Sequence, residues 1–268
     1  RRDSLNLLAE NNAMRREARS RRNYGDGARI VVIDNGVDEN HPQLKGKVIK
    51  QYFGSGSRDG HGTAVAGMYV SEELGMVPQG KVISFKAVKN GSVNRINEAL
   101  EMTADIIESD LDPTHYYVVN LSFGVDAIPT GLFGRRMDKA INRLIELGAV
   151  VVAAAGNDGE DDKCGKVPSG LNGPVCVSAS DAAGKPARFT THNSEVDVTD
   201  LGVSVPVICT IGGRGADLFG CGKYSADGTS FAAPYVGCKA CIIQRDAVMQ
   251  TGRPLSEADV VRKLMLMA

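Results

Sequence analysis

The feature that most constrains the fold is a series of short, almost unbroken apolar runs spread along the chain. ARIVVID (28–34), KVISFKAV (81–88), YYVVNLS (116–122), AVVVAAA (149–155) and PVCVSAS (174–180) are rich in β-branched residues and of strand length. A strand with one wet face alternates apolar and polar residues. These runs do not, so both faces of each strand have to be covered, which is the situation in a parallel sheet flanked by helices. Helical stretches lie between the runs, over 61–73, 96–109 and 133–148. In the last of them Met137, Ala140, Ile141, Leu144 and Ile145 share one face, and Gly148 marks the stop. Strand and helix in alternation predict an α/β fold in three layers, a mostly parallel central sheet with helices on both faces. At 268 residues the chain can bury one large core without covalent staples. No repeat, linker or low-complexity tract divides it, so residues 28–268 read as one domain. Residues 1–27 read as an Arg-rich arm that docks on that domain, with a basic partner-binding segment as the alternative.

Charge and cysteines remove several function classes. A net charge of −1 gives no global electrostatic case for nucleic acid or an anionic membrane as partner. No apolar run nears the ~18 residues of a membrane span, and RRDSLNLL has no apolar signal core, so no targeting segment is expected within the chain. The six cysteines all fall in the C-terminal half. Cys164 with Cys176, and Cys209 with Cys221, flank Gly-rich segments and are placed to close short loops. Cys238 and Cys241 have CxxC spacing but lack a second ligand pair, and read as buried packing thiols.

In a doubly wound sheet, ligands sit beyond the carboxyl ends of the strands, and four such ends carry chemistry. Asp34 ends an apolar strand, where a carboxylate needs a hydrogen-bonded partner; alone, it reads equally as a turn cap. His61 stands between Gly60 and Gly62 at the mouth of a small-residue helix, whose dipole disfavours the protonated ring and keeps the imidazole available as a base. Asn157 follows AVVVAAAG and offers a side-chain amide to the same mouth, or simply turns the chain. Ser230, in DGTSFAAP, opens a helix as a cap or as a nucleophile. Pro234, a few residues on, is expected where its missing N–H removes a donor without an intrahelical partner.

Each residue alone is weak, but the order Asp…His…Ser is one of the known triad orders. The blocks VVIDNGVDENHPQL, DGHGTAVAG, NLSFG, AAAGND and GTSFAAP resemble those of the subtilases, the subtilisin-like serine proteases, in family order from residue 28 to 240. The resemblance implies a subtilisin-like fold and a serine endopeptidase acting through an acyl-enzyme. Ser230 would be the nucleophile, His61 the general base and then acid, and Asp34 its orienting partner; this triad is the general template for the family rather than something composition reveals. Asn157 would donate to the oxyanion together with the Ser230 backbone N–H. The polypeptide substrate would bind as an extended strand between Ser122, Phe123 and Gly124 on one side and Lys89, Asn90 and Gly91 on the other. Ala154, Ala155 and Gly156 would contribute to the primary pocket, with the region 164–168. An apolar P1 residue of medium or large size is expected there. Asp158, Glu160, Asp161 and Asp162 read as a solvated loop, or as a preference for basic residues.

The chain departs from the family pattern in ways that matter for cofactors. HPDL, whose acid helps bind a structural calcium in many members, is here His41-Pro42-Gln43-Leu44. Losing a hard anionic ligand weakens a Ca²⁺ site, so the usual high-affinity calcium site is expected to be absent, and no other metal or cofactor is implied. Ala64 and Tyr235 stand where the family often has histidines, and both read as packing changes. Nothing before residue 28 resembles an inhibitory propeptide, although one, or further domains, would be natural partners. Secretion is favoured by the resemblance alone. Two other functions remain compatible with the residues: a peptide-binding domain without turnover, and a transpeptidase or cyclase in which an amine resolves the acyl-enzyme. Asn120-Leu121-Ser122 is formally a glycosylation sequon, but strand burial argues against its use; Asn90 is the more accessible acceptor.

Overall fold

The computed structural model describes residues 6–20, 24–56, 60–88, 92–126, 131–159, 166–191, 193–208 and 223–267. The central strands are β1 (Ala28–Asp34), β2 (Val48–Tyr52), β3 (Lys81–Lys86), β4 (Tyr116–Leu121), β6 (Val150–Ala154), β8 (Val175–Ser180) and β9 (Val198–Leu201). They form a seven-stranded sheet in the order β2-β3-β1-β4-β6-β8-β9, with every neighbouring pair parallel. Among the described residues two antiparallel pairs lie outside it: β5 (Val125–Asp126) with β7 (Lys166–Val167), and β10 (Val205–Ile208) with β11 (Lys223–Ala226).

Alternate residues of each strand feed different cores, which is why the runs are apolar throughout. Ile30, Val32, Val118, Val150 and Val152 join the cluster built with the helices His61–Val70, Thr229–Thr251 and Glu257–Met267. Val31, Ile33, Val119, Val151 and Ala153 join the cluster built with the helices Val93–Ser109 and Leu132–Glu146. The result is three layers, α/β, as expected. The chain lays β2 and β3 on one side of β1 and β4, β6, β8 and β9 on the other. The order therefore reverses at the β1/β4 boundary, and the carboxyl ends of those two strands frame a crevice.

Within the seven-stranded sheet, the two strands that sequence patterning misses, β2 and β9, are its edges. VIKQY of β2 is largely exposed or half-buried, and an edge strand wet on one side does not present an unbroken apolar run. VTDL of β9 carries Asp200 into the interior, where it accepts from Lys239 Nζ at 2.7 Å and from Asn11 Nδ2 at 3.3 Å. The helix expected over 61–73 ends at Val70, because the Ser71 side chain accepts the Leu74 N–H at 3.1 Å and turns the chain there.

The N-terminal helix Leu7–Ser20 lies along β9 and the helix Thr229–Thr251. Leu7, Asn11, Arg15 and Ala18, one stripe at helical spacing, are its buried residues among those described. Two members of that stripe are polar and partnered: Asn11 with Asp200, and Arg15, which donates to the Tyr235 hydroxyl at 2.6 Å and lies 5.5 Å from that ring's centre. Tyr235 is thus an anchor for this helix as well as a packing residue. Cys238 and Cys241 are buried thiols in the core, as expected, whereas Cys164, Cys209 and Cys221 lie outside the described residues.

Candidate active site

Asp34 is the last residue of β1 and is 2% exposed. A carboxylate in that position needs donors. The Asn35 amide supplies one to Oδ1 at 2.7 Å, and His61 Nδ1 lies 2.9 Å from both Oδ1 and Oδ2. The carboxylate therefore selects the ring tautomer with its proton on Nδ1, leaving Nε2 as a proton acceptor. His61 opens the helix His61–Val70, its side chain is 31% exposed, and its ring packs 5.5 Å from that of Phe231.

The close approach of strand end and helix mouth depends on Gly62. Its N–H donates to Asn35 Oδ1 at 3.0 Å. A Cβ there would stand 2.5 Å from the Gly36 carbonyl oxygen and 3.1 Å from Asp34 Cβ, so any side chain would push the histidine away from the carboxylate. Thr63 ties the same turn down by accepting the Asp38 N–H at 2.9 Å.

Ser230 lies across the crevice, at the start of the helix Thr229–Thr251. It is joined to the end of β4 by a reciprocal pair of hydrogen bonds. Ser230 Oγ donates to the Ser122 carbonyl at 3.0 Å, and Ser122 Oγ donates to the Ser230 carbonyl at 2.7 Å. This arrangement corrects the expectation for Pro234. The helix begins at Thr229, so Pro234 lies beyond its first turn, and the donor it lacks is the one that would have bonded the carbonyl of Ser230. Ser122 Oγ fills that vacated acceptor.

Asn157 follows β6 and is oriented by its oxygen. Oδ1 accepts the Thr229 N–H at 2.9 Å and the Thr229 hydroxyl at 3.0 Å. The NH₂ end therefore points the other way, beside Gly228, where an added Cβ would be 3.6 Å from Nδ2. Thr229 Oγ1 also accepts the Gly156 N–H at 3.2 Å, so one buried hydroxyl locks the β6 turn to the serine helix. Sequence reasoning did not single out Thr229, although its place immediately before Ser230 was visible.

A cleft of about 220 Å³ opens beside Ser230, walled by Phe123, Gly124, Ala154 and Gly156, with Asn157, Asp158 and Thr229 completing it. Of the expected substrate wall, Phe123 and Gly124 follow the end of β4 and belong to no strand pairing. Ser122 is buried behind Ser230, and Ala155 is buried with its N–H on the Val177 carbonyl at 2.9 Å. Lys89, Asn90 and Gly91, the expected opposite wall, lie outside the described residues, as do Glu160, Asp161 and Asp162. Asn120 is fully buried, as its strand position implied.

The family model of the subtilase family matches residues 25–268. The chain is 32% identical over 255 residues to the thermophilic serine proteinase of Bacillus sp. (strain AK1), covering 86% of this chain and 57% of that protein. It is 27% identical over 268 residues to the major intracellular serine protease of Bacillus subtilis (strain 168), covering 90% of this chain and 76% of that protein. Among solved structures, a lanthipeptide protease superposes with a TM-score of 0.81 at 20% identity, over 96% of this chain and 85% of that one. A cold adapted subtilisin-like serine proteinase superposes with a TM-score of 0.73 at 22% identity, over 90% and 82% of the two chains. With its fold, its strand-end residues and a family match over nearly its whole length, the chain belongs to the subtilase family, the subtilisin-like serine proteases.

Proposed function

We propose that this chain is a serine endopeptidase in which Ser230, His61 and Asp34 form the triad and Asn157 is the side-chain oxyanion donor. The observation that carries the reading is the paired 2.9 Å contact of Asp34 with His61 Nδ1, which leaves Nε2 as the base, on a ring packed 5.5 Å from that of Phe231, the residue after Ser230.

The substrate backbone lies in the crevice with its scissile carbonyl over Ser230. The Ser230 O–H turns from the Ser122 carbonyl to His61 Nε2, which takes the proton as Oγ bonds to the carbonyl carbon. Asp34 holds Nδ1–H and stabilises the imidazolium without taking the proton. The carbonyl oxygen gains negative charge. Asn157 Nδ2 and the Ser230 N–H, one of the helix's first donors and so without an intrahelical acceptor, stabilise that charge. The tetrahedral species collapses, the C–N bond breaks, and His61 gives its proton to the leaving amine. Water then repeats the sequence on the acyl-enzyme, with His61 again as base.

No step requires a metal. At the calcium position raised by the family resemblance, Gln43 makes a weaker site than an acid would. Gln43 brings no charge, and its carbonyl and side-chain oxygens already accept the Glu72 and Glu73 amides at 3.2 and 3.3 Å.

The test is mass spectrometry of products from a mixed peptide library. Hydrolysed fragments bearing new amino and carboxyl termini support the reading. Ligated or cyclic products without hydrolysis point to transpeptidation, and binding without any product to a peptide-holding domain; either contradicts it.

A further inference from the structure

A line of buried hydrogen bonds runs from the histidine helix, through β4, to the nucleophile turn. The Tyr69 hydroxyl donates to Asn120 Oδ1 at 2.9 Å, Asn120 Nδ2 donates to Ser122 Oγ at 2.8 Å, and Ser122 Oγ donates to the Ser230 carbonyl at 2.7 Å. Tyr69 and Asn120 are fully buried and Ser122 is 2% exposed, so water does not compete for these groups. We propose that Tyr69 is a positioning residue for Ser230: its hydroxyl fixes which way the Asn120 amide points, and that orientation keeps the Ser122 proton on the Ser230 carbonyl. The inference rests on Ser230 being the nucleophile.

The direction of each bond follows from the donor inventory. An amide has an oxygen end that only accepts and a nitrogen end that only donates, whereas a hydroxyl has one proton to give. Burial pushes the Tyr69 phenol well above its usual ionisation range, so it keeps that proton. The phenol oxygen could also accept, but its buried proton needs an acceptor, and Asn120 supplies one by presenting its oxygen to Tyr69 and its NH₂ to Ser122. The Ser122 oxygen then accepts, and its single proton is left for Ser230. Were the amide reversed, Ser122 would donate to the amide oxygen instead. The Ser230 carbonyl would then lose its partner, and Pro234 has already removed the helical donor that could replace it.

Space for the phenol is built into the serine helix. A Cβ at Gly237 would stand 1.9 Å from the Tyr69 hydroxyl oxygen and 2.8 Å from the ring carbon that bears it. The tyrosine hydroxyl thus occupies a notch that a glycine leaves open. The Ser122 backbone is also the acceptor of Ser230 Oγ, so a shift of the Ser122–Ser230 pair moves nucleophile and oxyanion donor together. Displacements of an ångström in such groups change rates strongly.

The test is the second-order rate at which a fluorophosphonate probe labels the full chain. That reaction reads the nucleophile without needing a peptide in the cleft. Wild type must label, and no labelling would defeat the protease reading itself rather than the relay. Tyr69→Phe is expected to label ~3- to 10-fold more slowly, the equivalent of one net hydrogen bond, and to lower kcat on a peptide substrate without raising KM. Ser122→Ala is expected to slow labelling at least as much. The double variant should be no slower than Ser122→Ala, because both changes act through the same carbonyl. Wild-type labelling by Tyr69→Phe, including a lowered melting temperature with an unchanged rate, overturns the proposal, as do two effects that multiply. Should Tyr69→Phe not fold, wild-type labelling by Ser122→Ala overturns it alone.

Discussion

Asp34 holds the His61 ring by both carboxylate oxygens, each 2.9 Å from Nδ1. An amide in its place offers one acceptor and one donor, and the donor end favours the ring tautomer with its proton on Nε2, which cannot act as base. Asp34→Asn is therefore expected to lower kcat by about 10⁴-fold near neutral pH with little change in KM. Steady-state kinetics on one peptide substrate check this, and a loss under tenfold would contradict the assigned role.

Asn157 divides its amide between two tasks. The oxygen braces Thr229 at 2.9 and 3.0 Å, and in the proposed mechanism the NH₂ serves the oxyanion. Asn157→Asp keeps an oxygen for Thr229 and removes the donor. It is expected to lower kcat by about 10²- to 10³-fold while leaving the melting temperature close to wild type. Unchanged kcat in a folded variant would place the oxyanion donor elsewhere.

Asp158 offers a test of specificity. The cleft walls at Gly124, Ala154 and Gly156 are short, which leaves depth for a large side chain, and Asp158 places a carboxylate in the lining. It is exposed, so its attraction for a basic P1 side chain is modest. Asp158→Asn is expected to lower kcat/KM for substrates with P1 lysine or arginine by about 2- to 5-fold and to leave P1 leucine unchanged. Equal effects on both classes would show that the carboxylate does not reach P1.

At the opposite end of β4, Asp110 gives a stability test that does not involve activity. Burial works against its charge. Donation from the Tyr117 hydroxyl at 2.5 Å and from His115 at 2.7 Å outweighs that effect and holds its carboxyl below the ordinary aspartate value of 3.8. A depressed folded-state value stabilises the protein above the unfolded-state value, and the benefit is lost as pH falls through the folded-state one. Asp110→Asn should therefore melt below wild type at neutral pH, and the gap should close as pH falls below the ordinary aspartate value of 3.8 and through the lower folded-state one. A gap independent of pH would mean that Asp110 contributes by packing alone.

Legibility in the sequence followed burial and sequence separation. β1, β3, β4, β6 and β8 were readable because strands covered on both faces leave largely unbroken apolar runs, whereas β2 and β9 were not, because an edge strand keeps polar residues. Asp34, His61, Asn157 and Ser230 stood out because each breaks an apolar or small-residue run at the end of an element. Tyr69 did not, because inside GTAVAGMYV a tyrosine looks like any core residue. Its partner Asn120 lies 51 residues away, and that pairing exists only once the sheet has brought the two together. For Pro234 the sequence suggests a missing N–H that costs no helical bond, whereas the structure shows that it costs one. Only the position of the helix start shows that the group it leaves unpaired is the carbonyl of Ser230.

The most direct test of the account is to treat the chain with a fluorophosphonate, digest it and locate the adduct by mass spectrometry. One adduct, on the peptide containing Ser230, abolished in Ser230→Ala and strongly slowed in His61→Ala, is the predicted result. An unlabelled wild type that is demonstrably folded, or an adduct on another residue that persists in Ser230→Ala, would contradict it.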